Sequence, residues 1–405
     1  MIRRPPRSTQ SRSSAASDVY KRQAANFLQY SDQLKVVRPT SGHLNAGQAS
    51  GVLVRDDDHY LDAYWSETGD GQVTSNDWYA RSAGTWGNSI GVQICPSAIA
   101  YSQDLGTNNL TAAAESAGDT VVAVDDADSS GYAFNVGDLI SFSSTTTGTA
   151  MTHLAGDEGN EYQVVSISSN DLTIRLAGDP NGAGLQADIA DNSFIRRRWA
   201  FYNLFDGAPG TSDWATKNGR GGNDEMHIVI YDTTGDITGF DYDVAGQATN
   251  AVIERWGNVS KNPVAKNAQG GGNYYVDLIF RGSEYIYWGD HLAAGTNWGT
   301  DTTTVYTAVN TVDIATLTGG TDDYAVSNGE LKIAYDVFAD TETIDINLVL
   351  SGPSSGVADT AAAMDTHVTM ITDLCELRKD CVGFASPYRS ATVGVSSTIT
   401  QTSNV

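Results

Sequence analysis

Apolar side chains at Val357, Ala361, Met364, Val368, Ile371 and Cys375 recur at spacings of four, three, four, three and four. Such spacings bracket the helical turn of 3.6 residues and keep one face apolar, which predicts a helix of about 20 residues. The apolar run Ile344–Leu350 before it reads as a strand, and Ser351–Gly356 as a turn-rich connection. Lys379 and Asp380 end the helix, and Cys381–Ala385 reads as a second buried strand. Strand, helix and strand of this length predict a right-handed parallel crossover, with the helix laid on a sheet. A chain carrying this unit over 344–386 is not a purely β module.

The remainder has a different texture. Its 405 residues suffice for two or three domains, and 41 glycines favour strands joined by many turns. Leu34–Arg38 and Gly51–Arg55 read as short strands, the second followed by the acidic cluster Asp56, Asp57 and Asp58. A Gly-rich turn then leads into an alternating strand through Ile90, Val92 and Ile94. Between 108 and 198 the runs Thr120–Val124, Tyr132–Phe142, Glu161–Ile167 and Asp171–Leu176 follow one another at short intervals, which predicts a small barrel or sandwich. From 199 onward the pattern is α/β. His227–Asp232 and Ala251–Ser260 read as strands, Asn273–Phe280 as a capped helix with Gly282 past its end, Ser283–Trp288 as a strand, and Asp322–Phe338 as a helix with a weak point at Gly329. The expected fold class is therefore α/β plus β: a core over 24–107 and 199–405, with a β domain inserted at 108–198.

Residues 1–23 stand apart. They hold six Lys and Arg residues, a single acid, Asp18, and no hydrophobic period. The stretch resembles translated sequencing-adapter DNA and is excluded from the fold reading as a non-native leader. Setting aside its six positive charges and one negative charge takes the net charge from −25 to −30. Acidity of this size argues against nucleic acid and anionic membranes as partners, because phosphate affinity comes from Lys and Arg. No apolar run approaches the ~18 residues of a membrane span. Three unpaired cysteines, Cys95, Cys375 and Cys381, fit a chain made in a reducing cytoplasm.

No catalytic, cofactor-binding or metal-binding set emerges. Gly210-Thr211-Ser212 matches three letters of a subtilisin-type nucleophile setting, but Asp232, the best acid, follows the serine instead of preceding it. The histidines His43, His59, His153, His227, His291 and His367 never fall within ten residues of each other, so a helical zinc pair is excluded. His367 flanks the apolar helical stripe and reads as a packing residue, as do Cys375 and Cys381. At the ligand positions of the Ser66–Asp77 frame only Asp70 and Asp77 are carboxylates, which fits a hairpin turn better than a calcium loop. Ser351–Gly356 sits where phosphate loops sit but lacks the lysine they need.

Several segments resemble the tail sheath proteins of contractile-tailed phages of the myovirus type. They are Ala24 to Tyr30 with Leu34–Arg38; Ala80–Val92 with Gly84, Trp86, Gly87 and Asn88; Asn223-Asp-Glu-Met-His-Ile-Val-Ile230; Glu254–Pro263 with Asn258-Val-Ser-Lys-Asn262; Leu317, Gly319, Gly320 and Asp322; and Asp380–Pro387. The resemblance implies a structural subunit and no enzyme or cofactor. Its α/β core would be subtilisin-like in fold only. Its partners would be further copies of itself in a helical homo-oligomer, a tail tube protein, and baseplate and tail terminator proteins. The sheath would be assembled in the host cytoplasm, reside in the virion tail, and contract to drive the tube through the host envelope. The resemblance also implies that both termini of the parent, including a C-terminal domain, lie outside this sequence. The rival reading is a β-rich glycan-binding or adhesin-like module, supported by the Gly/Asn/Thr texture and 37 aromatic residues.

Overall fold

The computed structural model describes residues 25–30, 33–37, 39, 42–65, 76–144, 154, 156–157, 159–179, 181–242, 248, 250–323, 326–350 and 361–385. The leader 1–23, Arg38, the turn at Ser66–Ser75, His153 and the Ser351–Gly356 connection with Val357 lie outside the described residues. The chain divides into two compact units, Asn45–Gly320 and a second formed by the chain up to Leu44 and from Thr321 onward.

Within Asn45–Gly320 the helices are α1 (Asp57–Ala63), α2 (Ala98–Tyr101), α3 (Asp213–Asn218) and α4 (Tyr275–Gly282). The strands are β1 (Trp78–Ala80), β2 (Ile90–Cys95), β3 (Ser102–Asp104), β4 (Val121–Ala123), β5 (Leu139–Ser143), β6 (Tyr162–Ser168), β7 (Asp171–Leu176), β8 (Phe194–Arg198), β9 (Glu225–Asp232), β10 (Val252–Ser260), β11 (Ile286–Trp288) and β12 (Asp313–Thr316). A four-stranded sheet has the order β10-β9-β2-β12, and each neighbouring pair is antiparallel.

Strands β2 and β9 lie at its centre and are buried on both faces. Ile90, Val92, Ile94, Ile228 and Ile230 pack with Trp78, Ile279 and Trp288 on one side. Cys95, Val229 and Tyr231 pack with Trp199 and Phe201 on the other. Two-sided burial explains why Ile228, Val229 and Ile230 are consecutive rather than alternating. Gln93 is buried as well, its Oε1 accepting a 2.7 Å bond from Trp199 Nε1. Full burial of an isoleucine here contributes about 1.5–3 kcal/mol.

A six-stranded sheet runs in the order β3-β8-β5-β6-β7-β4, again antiparallel at every pair. It has its own apolar cluster, including Phe142, Tyr162, Val164, Leu172, Ile174 and Ile195. The sheet starts at Ser102, with β3 paired to β8. The expected strand Tyr132–Phe142 is shorter than its apolar content suggests. Residues 135–138 form a turn closed by Asn135 N–H on Asp138 Oδ2 at 2.8 Å, and the strand begins only at Leu139.

The second unit holds α5 (Asn328–Asp336), β13 (Leu348–Leu350), α6 (Ala361–Arg378) and β14 (Val382–Phe384). Strands β13 and β14 pair in parallel, Leu348 opposite Val382 and Leu350 opposite Phe384, with α6 between them in sequence. The buried face of α6 is Met364, His367, Met370, Ile371, Leu374 and Arg378, whereas Val368 is partly exposed. The expected stripe was thus turned slightly: His367 is inside and Val368 at the rim.

Other local expectations need correction. Residues 33–37 form no strand, and Val36 is 79% exposed. Gly51–Arg55 contributes one isolated bridge, Val52 to Asn45. The acids that follow open a helix, because Asp56 Oδ1 caps α1 by accepting the His59 N–H at 2.7 Å. Helix α4 is preceded by Tyr274, not Asn273, and includes Gly282. Helix α5 starts after Ser327, whose side chain and that of Glu330 form a reciprocal capping box, and not at Asp322.

Candidate functional site

Ser212 and Asp232, the two residues weighed as a hydrolase pair, occupy different places. Ser212 caps α3: its Oγ accepts the Ala215 N–H at 3.0 Å and donates to Asp224 Oδ2 at 2.8 Å. Asp224 is fully buried and also accepts the Ser212 N–H and the Ser260 hydroxyl, each at 2.8 Å. Asp232 lies at the opposite end of β9. It fastens the following turn by accepting the N–H groups of Gly235, Ile237 and Thr238 at 2.9, 2.8 and 2.6 Å. Both carboxylates hold backbone in place.

Four of the described histidines are likewise committed to structure. His227 is fully buried and stacks on Phe205 with ring centres 4.1 Å apart. Its Nδ1 accepts the Asn258 N–H at 3.0 Å, which leaves Nε2–H to donate to Gly207 O at 2.8 Å. Burial holds its pKa below the usual imidazole value. His291 pairs with the Tyr275 hydroxyl, and burial pushes its pKa down to about 4. His43 Nδ1 accepts the Asp323 N–H at 2.9 Å, and His59 Nδ1 accepts that of Arg55 at 3.3 Å. Among the described residues no group of three or more His, Cys, Asp or Glu side chains could hold a metal ion.

Lys261, which sequence reasoning passed over, is the centre of the best-built polar cluster. It is fully buried at the end of β10. Its ammonium donates to Pro96 O and Asn223 O at 2.7 Å and to Glu225 O at 3.0 Å, and it lies 5.2 Å from the centre of the Trp298 ring. Burial lowers its pKa to about 8, with Asp224 opposing the shift. One cation thereby joins the chain after β2, the start of β9 and the end of β10. Two of the family-like segments, around Asn223 and around Asn258 to Asn262, meet at this point.

A second junction brings together two more. Gly84 has φ 128°, a region that disfavours side chains, and leads into a tight 3-10 turn over Thr85–Ser89. The Asn88 amide projecting from that turn bonds both the N–H and the carbonyl of Gly320. A Cβ on Gly320 would fall 2.4 Å from Gly84 O and 3.1 Å from the Ala46 Cβ, so only glycine permits the approach. Nearby, Arg81 grips the Asp57 carboxylate with two bonds of 2.9 and 3.1 Å and donates to Phe280 O and Ser283 O. It thereby ties α1 to the end of α4.

The second unit presents a different kind of surface. Leu348, Leu350, Val382 and Phe384 are each between 41% and 58% exposed and share the sheet face opposite Val349, which packs under α6. Among the described residues the outer edges of β13 and β14 have no strand partner. Among the described residues no helix is long and apolar enough to cross a membrane.

No protein-family model matches the chain. The chain is similar to the curated tail sheath protein of Enterobacteria phage T4, 35% identical over 127 residues, or 30% of this chain and 17% of that protein. It is also similar to the tail sheath protein of Salmonella phage ViI, 25% identical over 324 residues, or 78% of this chain and 43% of that protein. The chain spans less than half the length of these curated relatives. The chain is thus similar to phage tail sheath proteins, over most of its length in one of them.

Proposed function

We propose that this chain is the structural part of a tail sheath subunit that polymerises around a tail tube. The observation that carries the reading is the match to a tail sheath protein over 78% of the chain. The placement of buried polar groups agrees with it. Ser212, Asp224, His227, Asp232 and Lys261 all hold backbone, as a load-transmitting subunit requires. The exposed apolar face of the β13–β14 sheet would receive chain from neighbouring copies.

In this proposal the subunits form a helical homo-oligomer in the virion tail, assembled in the bacterial cytoplasm. It contacts the tube, the baseplate and a tail terminator, and contraction converts one lattice into a shorter, wider one. No bond-making chemistry is needed. The six-stranded sheet with its own core supports reading 108–198 as most of an inserted β domain. The subtilisin-like frame enters from the family resemblance, and the antiparallel four-stranded sheet lends it no support.

Immunogold microscopy tests this reading. Antibodies raised against 45–320 should label virions of the source phage along the whole tail. Label confined to fibre tips would favour an adhesin and overturn the sheath reading.

A further inference from the structure

We propose that Cys375 and Cys381 form a dithiol clip, closing a disulfide between the last turns of α6 and the start of β14 when the surroundings become oxidising. The inference does not rest on the sheath reading. Both thiols are free and half-buried, and their sulfurs lie 3.8 Å apart. A disulfide needs about 2.05 Å, so closure asks the two side chains to turn toward each other.

The short link between the two cysteines is rigid. Arg378 has its side chain fully buried and grips Asp380 with two 2.9 Å bonds, while donating to Phe338 O, Asp340 O and Ile344 O. Lys379 takes the left-handed conformation at φ 62° and its N–H closes on Cys375 O at 2.8 Å. Val382 N–H then enters the sheet through Asn347 O at 3.0 Å. The two sulfurs are therefore held near each other by contacts that do not involve them.

Access is unequal. Cys375 lines a cleft of about 320 Å³ with Val368, Ile371, Thr372, Glu376 and Gly383, and Cys381 does not. A Cβ on Gly383 would fall 3.0 Å from the Cys375 sulfur and 2.5 Å from Ile371 Cγ2, so glycine keeps that wall open. Burial and then Cys375 itself hold the Cys381 thiol above its usual pKa. These features make Cys375 the attacking thiol and Cys381 the resolving one.

The oxidant is a low-molecular-weight disulfide. Cys375 loses its proton and attacks one sulfur, a mixed disulfide forms, and one small thiolate leaves and takes up a proton. Cys381 then loses its proton, attacks the Cys375 sulfur and expels the second small thiolate. The two protein thiols give up two electrons and two protons, and the small disulfide is reduced to two thiols. The product fastens β14, whose Val382 and Phe384 face outward, to α6. Redox state would thereby set how freely that apolar face moves.

The test exposes the full chain to oxidised glutathione, folded and in denaturing urea, and quenches with acid before tryptic mass spectrometry. Cleavage at Arg378 and Lys379 separates the cysteines, so only a disulfide joins 333–378 to 380–389. The folded chain should form this cross-link at least about tenfold faster than the unfolded one, as expected of prepositioned groups. Cys381→Ser should instead accumulate glutathione on Cys375, and buried Cys95 should stay unmodified. A folded rate equal to or below the unfolded rate, separate glutathione adducts on both cysteines, or no reaction would each overturn the proposal.

Discussion

Asn88 and Gly320 hold each other by two hydrogen bonds: Asn88 Nδ2 donates to the Gly320 carbonyl at 3.0 Å, and the Gly320 N–H donates to Asn88 Oδ1 at 2.7 Å. The residues are 232 positions apart and tie the turn before β2 to the chain after β12. Asn88→Ala leaves both backbone groups of Gly320 without a partner and should cost about 1–3 kcal/mol. Asn88→Asp retains only the acceptor and should lie between alanine and the parent. Gly320→Ala should be worse than either, because its methyl meets backbone. Urea unfolding of the three variants gives this order, and an unchanged midpoint for Asn88→Ala would show that the junction contributes nothing.

Lys261 should be hard to replace. Lys261→Met fills similar space but strands three buried carbonyls, at an expected cost of about 3–5 kcal/mol. The pH dependence has a definite sign. Burial depresses the folded pKa to about 8 from a reference of 10.5, so the folded state sheds this proton first. The associated stability is present above 10.5 and is lost as pH falls through 8. The penalty of Lys261→Met, measured as a difference of unfolding free energies, should grow between pH 8 and 10.5. A penalty that shrinks over that window would contradict the placement of the ammonium.

Asp77 titrates in the opposite sense. Burial, and then the charges of Asp313 and Asp290, push its pKa up to about 7. A raised carboxyl pKa favours the folded state below the unfolded value and loses that favour as pH rises through 7. Asp77→Asn should therefore raise the melting temperature at pH 8 and leave it unchanged at pH 3. Thermal melts at the two pH values decide it; stabilisation at pH 3 alone would reverse the account.

Residues 102–198, expressed alone, should fold. The six-stranded sheet and its Phe142, Tyr162 and Ile174 core lie wholly within them. The bond from Arg197 to Asn310 O would be lost, so the piece should be less stable than in the full chain. A cooperative urea transition is expected, and a broad non-cooperative one would mean that the sheet depends on its surroundings.

What the sequence made legible is short in range. The parallel pairing across α6 follows from a local spacing and a chain length, and Met364 and Ile371 are buried as that spacing requires. His367 is buried as its reading as a packing residue expects, but the rim position of Val368 is not legible, because spacings of four and three fit two neighbouring lines on a helix. Leu34 to Val37 shows the limit of apolar runs: without a partner strand, a β-prone sequence forms no strand, and Val36 is left exposed. The Ser327 and Glu330 capping box is present in the letters, and the helix starts there and not at the expected Asp322. Lys261 lies in a family-like segment, but nothing local marks it as a buried cation. Its acceptor at Pro96 is 165 residues away, so only the closed sheet brings them together.

The central claim, that this chain is sheath, is tested most directly by negative-stain electron microscopy of the chain expressed with the coding sequence that flanks it. The account predicts tubes of uniform diameter, growing faster as salt screens the repulsion of a chain with net charge −25. A product that stays monomeric at every salt concentration would contradict it.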